Sequence, residues 1–357
     1  MKKHGILFLI CFTLMTLAPI PVFYLFRDQI GYKNTENKAE SEFPEFSRAG
    51  YSTWPRRFEE WLSDTLPFKT QFIELFRGAQ YRSSLDYTQS DVIRGENDFL
   101  FYRATLDNYK GISRFSEDEL QTIRDNLEGF FEQMEEAGTE CLLYIAPDKE
   151  QVYDSLMPES IRRVSEESQG DRTAAYLSEV LDQPVLYPKA ELRALAQDMP
   201  VYFSSDTHWN ELGGYFAAAR IRANFTDNAA DTAVPDYHYY EEAGKDLAGM
   251  LGLSEVIPEK NAVLIDFNDG VDVQKTETID HGTIQRFTSN AAAHKKLLLI
   301  GDSFSEYVLR SAIHDVDEIL FVTYGQLYRI DLEAEAPDYA VVMLVERNLP
   351  FLVNGFY

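Results

Sequence analysis

The length, composition and charge of the chain limit what it can be. Its 357 residues suffice for one large α/β domain with a sizeable core, and a content of 45% hydrophobic and 13% aromatic residues excludes an intrinsically disordered chain. Asp and Glu number 59 against 33 Lys and Arg, so the formal net charge is -26. A field of that sign repels nucleic acid, and no basic stripe offsets it, so we expect no nucleic-acid partner.

The N-terminal segment, residues 1–27, is predicted to be a membrane anchor. Lys2 and Lys3 precede an apolar run from Gly5 to Phe26, and about 20 apolar residues are enough to span a bilayer. The run ends in bulky residues instead of a small-residue cleavage site, which favours an uncleaved anchor over a cleaved signal peptide. Because the lysines lie before the run, we expect a cytoplasmic N-terminus and an exported body.

The exported part is predicted to consist of a linker, residues 28–53, and one domain, residues 54–357. Apolar residues at mostly helical spacing predict a helix over 54–76, with a break at Pro67. A turn followed by an aromatic strand is predicted for residues 95–102. A long helix is predicted between Ser116 as N-cap and Gly138 as C-cap. Cys141 is predicted to be a small buried residue at the start of the strand that follows.

Three short apolar runs end abruptly in polar residues. The runs and their polar ends are 142–146 with 147–149, 297–300 with 301–303, and 339–345 with 346–348. Apolar runs without alternation are typical of strands covered on both faces, as in a parallel sheet between helices. Such sheets bind ligands at the carboxyl ends of their strands, so the polar ends would face one crevice. From this pattern alone, ordinary loop starts remain an equal alternative.

Ser303 is the candidate nucleophile. It lies in Gly301-Asp302-Ser303-Phe304-Ser305, between an apolar strand and a predicted helix. A serine on such a turn has an exposed hydroxyl, and backbone N–H groups at the helix start can form an oxyanion hole. The alternative is that Ser303 only caps the helix.

His208 is the candidate base, with Asp206 as the carboxylate that orients it. A serine hydroxyl needs a base at neutral pH, and histidine has a suitable pKa. Asp206 and His208 are two residues apart, hence on one side of an extended segment. His4 belongs to the predicted anchor and His238 lies in Tyr237-His238-Tyr239-Tyr240, whereas His281, His294 and His314 lack a matching local carboxylate and aromatic setting or lie near charged loops. The alternative is a structural histidine. No spacing of ligands predicts a metal site and no glycine-rich loop predicts a phosphate cofactor, so we expect neither.

Six segments, in order, resemble the alginate O-acetyltransferase (AlgJ/AlgX-like) family, which is related to the SGNH hydrolases. They are 95–102 (with Phe99 where the family has Trp), 145–158, Asp206-Thr207-His208-Trp209-Asn210, 244–253, 301–305 and Glu346-Arg347. The resemblance implies an SGNH-like three-layer α/β sandwich with a mostly parallel central sheet, in addition to the N-terminal transmembrane helix. It also implies a Ser303–His208–Asp206 triad and an acyl-serine intermediate.

The resemblance further implies acetyl transfer onto hydroxyls of an exported polysaccharide. The protein would sit in the inner membrane with its catalytic domain in the periplasm, and a multispanning membrane-bound O-acyltransferase would supply the acyl group. The acidic charge makes a neutral exopolysaccharide at least as suitable an acceptor as polyanionic alginate. The same residues are compatible with an acetyl-esterase that uses water as acceptor, and with a noncatalytic polysaccharide-binding or scaffold subunit.

Four further residues are candidates for contact with the substrate or the oxyanion: Lys149, Arg347, Trp209 and Tyr307. The alternative for the two cations is pairing with their neighbours Asp148 and Glu346. The alternative for Trp209 is packing in the core instead of stacking on a sugar.

Overall fold

The computed structural model divides the chain into two compact units, Met1–Asp86 and Tyr87–Tyr357. The described residues are 91–225, 235–264, 273–279, 283–290, 294–312 and 316–356, and, nearer the N-terminus, 2–18, 21–22, 25–26, 43–46, 52–64, 68, 72, 75–76, 78–79 and 81.

The first unit contains helix α1 (Lys2–Leu17) and helix α2 (Trp54–Asp64). The indole N–H of Trp54 donates to the carbonyl oxygen of Pro44 at 2.9 Å. The predicted break at Pro67 and most of the predicted linker lie outside the described residues. A membrane-spanning helix was predicted within residues 1–27. Among the helices described, none combines the length and the apolar character that a membrane crossing requires.

The second unit contains the remaining helices and strands. Its helices are α3 (Leu106–Tyr109), α4 (Glu117–Glu136), α5 (Lys149–Val152), α6 (Gln169–Val180), α7 (Lys189–Leu195), α8 (Glu211–Phe225), α9 (Asp246–Met250), α10 (Ser305–Ala312) and α11 (Leu332–Glu335). Its strands are β1 (Val92–Arg94), β2 (Leu100–Tyr102), β3 (Glu140–Ala146), β4 (Val185–Leu186), β5 (Tyr237–Glu242), β6 (Glu259–Leu264), β7 (Val273–Ile279), β8 (Ile284–Ser289), β9 (Lys296–Gly301), β10 (Glu318–Thr323) and β11 (Tyr339–Val345). Short 3-10 helices span Glu96–Asp98, Arg103–Thr105, Asp154–Leu156, Leu327–Arg329 and Glu346–Asn354.

The predicted caps of α4 have clear local causes. Ser116 accepts a hydrogen bond from the backbone N–H of Glu119, and the Glu119 side chain accepts one from the backbone N–H of Ser116, which forms a capping box. The helix ends at Glu136, and Gly138 follows with φ of 85°, a conformation that glycine adopts without strain.

A seven-stranded mixed sheet organises the second unit, in the order β4-β3-β11-β9-β10-β8-β7. The first five strands in this order are parallel to their neighbours, and β8 and β7 are antiparallel. The predicted sheet was mostly parallel, without the antiparallel pair. That pair follows from connection length, because the four residues between β7 and β8 allow a hairpin but not a parallel crossover.

Helices cover both faces of the sheet. Along β9, Leu299 faces a cluster with residues of α8 and α10, whereas Leu298 faces a cluster with residues of α4 and α6. Both side chains are at most 1% exposed. This double burial explains why the strand sequences lack the alternation of a half-exposed strand. The three apolar runs singled out from the sequence are the adjacent strands β3, β11 and β9, so their polar ends lie along one edge of the sheet.

The opposite edge, at the amino ends of the strands, carries a network of ion pairs. Arg286 and Lys296 each contact the carboxylates of Glu318 and Glu335. Hydrogen bonds from Arg286 and Lys296 outweigh the effect of burial and lower the pKa of Glu335 to about 2. Because this pKa is depressed, the stabilisation is present at neutral pH and is lost as the pH falls from 4.5 through about 2.

Candidate active site

The turn after β9 presents the Ser303 hydroxyl at the carboxyl edge of the sheet. The Asp302 carboxylate fixes this turn, because it accepts hydrogen bonds from the backbone N–H groups of Phe304 (3.0 Å) and Val345 (2.8 Å) and from the Asn348 amide (2.8 Å). Ser303 itself is exposed. Its backbone N–H has no acceptor within hydrogen-bond distance in the part of the chain described, and it lies just before α10.

A close approach at Gly301 makes the turn tight. A Cβ at this position would lie 2.8 Å from the carbonyl oxygen of Met343 on the neighbouring strand β11, closer than real Cβ contacts allow. Glycine is therefore required here by space and not by its φ angle.

His208 reaches Ser303 because two packed segments meet. The indole N–H of Trp209 donates to the carbonyl oxygen of Phe304 at 2.9 Å. Behind them, α8 packs closely on α10, where a Cβ on Gly214 would lie 2.5 Å from the carbonyl oxygen of Tyr307. The residues next to the two candidate catalytic side chains are thus in direct contact.

The three predicted triad side chains form a continuous hydrogen-bonded chain. His208 Nε2 lies 2.8 Å from Ser303 Oγ, and His208 Nδ1 lies 2.8 Å from Asp206 Oδ1. Burial raises the pKa of Asp206, but hydrogen bonds and charge from His208 outweigh it, so the net shift is downward and the group is a carboxylate at neutral pH. A carboxylate selects the tautomer with the proton on Nδ1, which leaves Nε2 able to accept the serine proton.

Arg347 lies between the segments that carry the dyad and the serine. It donates to Asp148 Oδ1 at 3.0 Å and to Thr207 Oγ1 at 3.3 Å, and its guanidinium lies 5.1 Å from the centre of the Phe304 ring. Its side chain is 20% exposed. A guanidinium has five N–H donors, so these contacts leave others for a substrate.

The other three candidates for substrate contact are less exposed than such a contact requires or only half-buried: Lys149 and Trp209 are buried, and Tyr307 is half-buried. Lys149 is 2% exposed and donates to three backbone carbonyl oxygens, so it does not lie on a surface where the predicted contact with a substrate could form. Burial lowers the pKa of Lys149, whereas the nearby carboxylates favour its charged form. Trp209 is fully buried, so it packs in the core and cannot stack on a sugar. Tyr307 is half-buried against the Phe203 ring, with centroids 5.6 Å apart.

One group in the described residues has side-chain atoms close enough to share a metal ion. Asp246 at the start of α9 places a carboxylate oxygen within 4.8 Å of ligand atoms of Asp206 and His208. Asp206 and His208 already bond to each other, and a metal on His208 would occupy a nitrogen that the dyad uses. Asp246 was not among the residues predicted for the site, although it lies in the segment 244–253 that resembles the family.

Several residues around the site were missed by sequence reasoning. Asn108 donates to Asp148, Thr207 accepts from Arg347, and Glu259 binds the backbone of the turn before Asp206. Sequence reasoning missed them because each is either distant in sequence from its hydrogen-bond partner or a residue type that is common in loops. The polar ends of the strands were a usable signal only for Asp148 and Asn348.

Comparison with known proteins decides the family. The profile described as "SGNH hydrolase-like domain, acetyltransferase AlgX" matches residues 92–312, more than half of the chain. The chain belongs to this family. The resemblance inferred from the sequence motifs is thereby confirmed, and with it an SGNH-like α/β fold. No curated protein sequence matches the chain.

Solved structures support the same fold. A DHHW family protein from Eubacterium siraeum aligns over 74% of this chain and 98% of its own, with 14% identity and a TM-score of 0.54. PatB1 of Bacillus cereus, solved with a sulfonyl adduct, aligns over 71% of this chain and 95% of its own, with 13% identity and a TM-score of 0.50. The O-acetyltransferase domain of Pseudomonas putida AlgJ has 18% identity, coverages of 72% and 92%, and a TM-score of 0.48. At such identities the first two matches concern the fold alone, and the third, with a TM-score below 0.5, adds nothing to them.

Proposed function

We propose that this member of the AlgX family is an O-acetyltransferase that moves acetyl groups onto hydroxyls of a polysaccharide through an acyl-Ser303 intermediate. The observation that carries the proposal is the 2.8 Å contact between His208 Nε2 and Ser303 Oγ, with His208 Nδ1 held by Asp206. Family membership supports acetyl transfer, and the polysaccharide acceptor extends what the family description implies.

In the first half-reaction, Ser303 Oγ attacks the carbonyl carbon of the acetyl donor while His208 Nε2 takes its proton. The negative charge that develops on the carbonyl oxygen faces the N–H of Ser303 just before α10, and a donor so placed contributes a few kcal/mol. The tetrahedral intermediate collapses as His208 returns the proton to the leaving group. The product is an acetyl ester of Ser303.

In the second half-reaction, a sugar hydroxyl occupies the place of the leaving group. His208 takes the hydroxyl proton, the sugar oxygen attacks the acyl carbon, and Ser303 leaves with the proton that His208 returns. The half-buried guanidinium of Arg347 is our candidate for a contact to the sugar or to the oxyanion. An acetyl-esterase would use the same steps with water as acceptor, so exclusion of water decides between the two reactions.

The test combines an acetyl ester donor with neutral and uronate oligosaccharides, and mass spectrometry follows the products. We expect acetylated oligosaccharide from the wild-type protein, and a loss of at least about 10³-fold in Ser303→Ala, because the nucleophile is gone. A sulfonyl fluoride should label Ser303, by analogy with the sulfonyl adduct of PatB1.

Ser305→Ala is the matched control. The Ser305 hydroxyl is buried and has no hydrogen-bond partner among the described residues, so its removal should leave stability and activity almost unchanged. Free acetate as the only product would establish the esterase instead. Acetylation of the polymer in cells that is unchanged in Ser303→Ala would establish a scaffold role.

We also propose that the N-terminal segment places the domain outside the cytoplasm at the inner membrane, where a multispanning O-acyltransferase supplies acetyl groups. The support is the apolar run after Lys2 and Lys3 and the lack of acetyl-CoA outside the cytoplasm. A reporter that is active only in the periplasm, fused after residue 357, should be active. An inactive reporter with full expression would overturn this topology.

A further inference from the structure

A buried lysine holds the turn that carries Asp206. The ammonium group of Lys149 donates three hydrogen bonds, to the carbonyl oxygens of Leu100 (2.7 Å), Ser204 (2.8 Å) and Asp206 (3.0 Å). An ammonium has three N–H bonds, so all of its donors are used. The last acceptor is the backbone carbonyl of the residue that orients the candidate base. Lys149 also lies over the rings of Phe99 and Phe101, 5.0 and 5.2 Å from their centres.

A buried glutamate holds the same turn through its donors. One oxygen of Glu259 accepts the N–H and the hydroxyl of Ser204, at 2.9 and 3.0 Å. The other oxygen accepts the N–H of Ser205 at 2.6 Å and also its hydroxyl. Glu259 is 1% exposed, and Ser205 is fully buried. Four donors from two consecutive residues therefore converge on one carboxylate.

The two ions act on complementary halves of one short backbone segment. Lys149 donates to the carbonyl oxygens of Ser204 and Asp206, and Glu259 accepts from the N–H and hydroxyl groups of Ser204 and Ser205. A buried charge is costly unless it is paired or fully hydrogen-bonded, and here the two opposite charges also attract each other through the turn. An apolar pair of the same volume could not bind these polar groups, so the charges have a reason to be there.

We infer that Lys149 and Glu259 are positioning residues that hold residues 204–206 so that Asp206 meets the His208 ring. This inference rests on the proposed function, because it assigns these residues to the same dyad. Neither residue hydrogen-bonds Ser303 or His208, so both act through the turn. The remaining carbonyl of the turn, that of Ser205, is held by the N–H groups of Leu247 and Ala248 at 3.0 and 3.3 Å.

The consequence concerns the hydrogen bond between His208 and Asp206. Without either ion, buried polar groups of the turn lose their partners and the backbone of Asp206 moves to find others. A displacement of about 1 Å at a catalytic group can cost about 100-fold in rate. We expect the loss in kcat, with KM for a small acetyl ester little changed, because the turn does not bind the donor.

The experiment uses the full-length protein with Lys149→Met, Glu259→Gln and the milder Ser204→Ala. Glu259→Gln keeps the shape but turns an N–H₂ group toward donors. The readouts are hydrolysis of 4-nitrophenyl acetate and the downfield proton NMR resonance of His208 Nδ1–H, which reports its bond to Asp206 directly. We expect a loss of about 100-fold in kcat and loss of this resonance in the first two variants, and a smaller change in both for Ser204→Ala.

Glu335→Gln is the control for a general loss of stability. It removes an ion-paired carboxylate at the opposite edge of the sheet, so melting temperature should fall while kcat and the resonance stay as in the wild type. If Lys149→Met and Glu259→Gln do not fold, Ser204→Ala decides. Wild-type kcat and an unchanged resonance in the folded variants would overturn the positioning role. Absence of ester hydrolysis in the wild-type protein would instead overturn the proposed function.

Discussion

Asp206→Asn is expected to lower kcat by about 10³–10⁴-fold while the protein stays folded. The asparagine side chain has nearly the same shape, but its neutral amide no longer selects the Nδ1–H tautomer or stabilises the imidazolium that forms. His208 then turns a proton instead of a lone pair toward Ser303 Oγ, now 2.8 Å away. Steady-state hydrolysis of a small acetyl ester measures the effect, and thermal melting checks the fold.

Asp246→Asn is the charge-matched control for this prediction. It removes an exposed carboxylate within 4.8 Å of the same dyad atoms, so it tests whether negative charge alone is important. We expect a change below about tenfold, because no hydrogen bond that selects a tautomer is lost. Equal losses in the two variants would contradict the orienting role of Asp206, as would activity of Asp206→Asn above a tenth of the wild type.

Trp209→Ala is expected to lower the free energy of unfolding by about 3–5 kcal/mol. The indole is fully buried among Tyr144, Tyr202 and Phe304, and its removal leaves a large cavity between the two halves of the site. Trp209→Phe keeps most of the volume but leaves the Phe304 carbonyl without its N–H donor, which costs about 1–3 kcal/mol. Urea denaturation measures both changes.

The alternative considered for Trp209, stacking on a sugar, makes a different prediction. If Trp209 stacked on a sugar, Trp209→Ala would raise KM for the polysaccharide and leave the free energy of unfolding unchanged. Tyr328→Ala serves as the comparison, because this aromatic residue is 63% exposed and its loss should change stability by about 0.5 kcal/mol or less. A stable Trp209→Ala protein with a raised KM would refute the packing role.

The elements that could be predicted from the sequence are those with a local cause. The runs that became β3, β9 and β11 are continuously apolar because both faces of each strand are buried. The caps of α4 depend on Ser116 and Glu119, three residues apart. The pairing of Asp206 with His208 is likewise local, and the structure brings Ser303 to them at the predicted edge.

The features that escaped prediction depend on contacts between distant segments. Nothing in the run 339–345 indicates that it lies between β3 and β9, since each of its residues would suit any central position. Lys149, which follows a predicted strand, was a candidate for contact with the substrate or the oxyanion, with pairing to a neighbouring carboxylate as the alternative. Its burial depends on carbonyl groups of β2 and of the turn before His208, about 50 residues away in either direction.

The position of β11 has a consequence for the order of assembly. This strand comes last among those described, yet it lies inside the sheet between β3 and β9, and Val345 at its end and Asn348 just after it donate to the Asp302 carboxylate. Until it is synthesised, the edges of β3 and β9 that it pairs with carry free N–H and C=O groups, which can pair with strands of other chains. The nucleophile turn also lacks its support at that stage. The candidate active site should therefore form late and in one cooperative step. A chain that lacks β11 should have no catalytic activity and should be prone to aggregate.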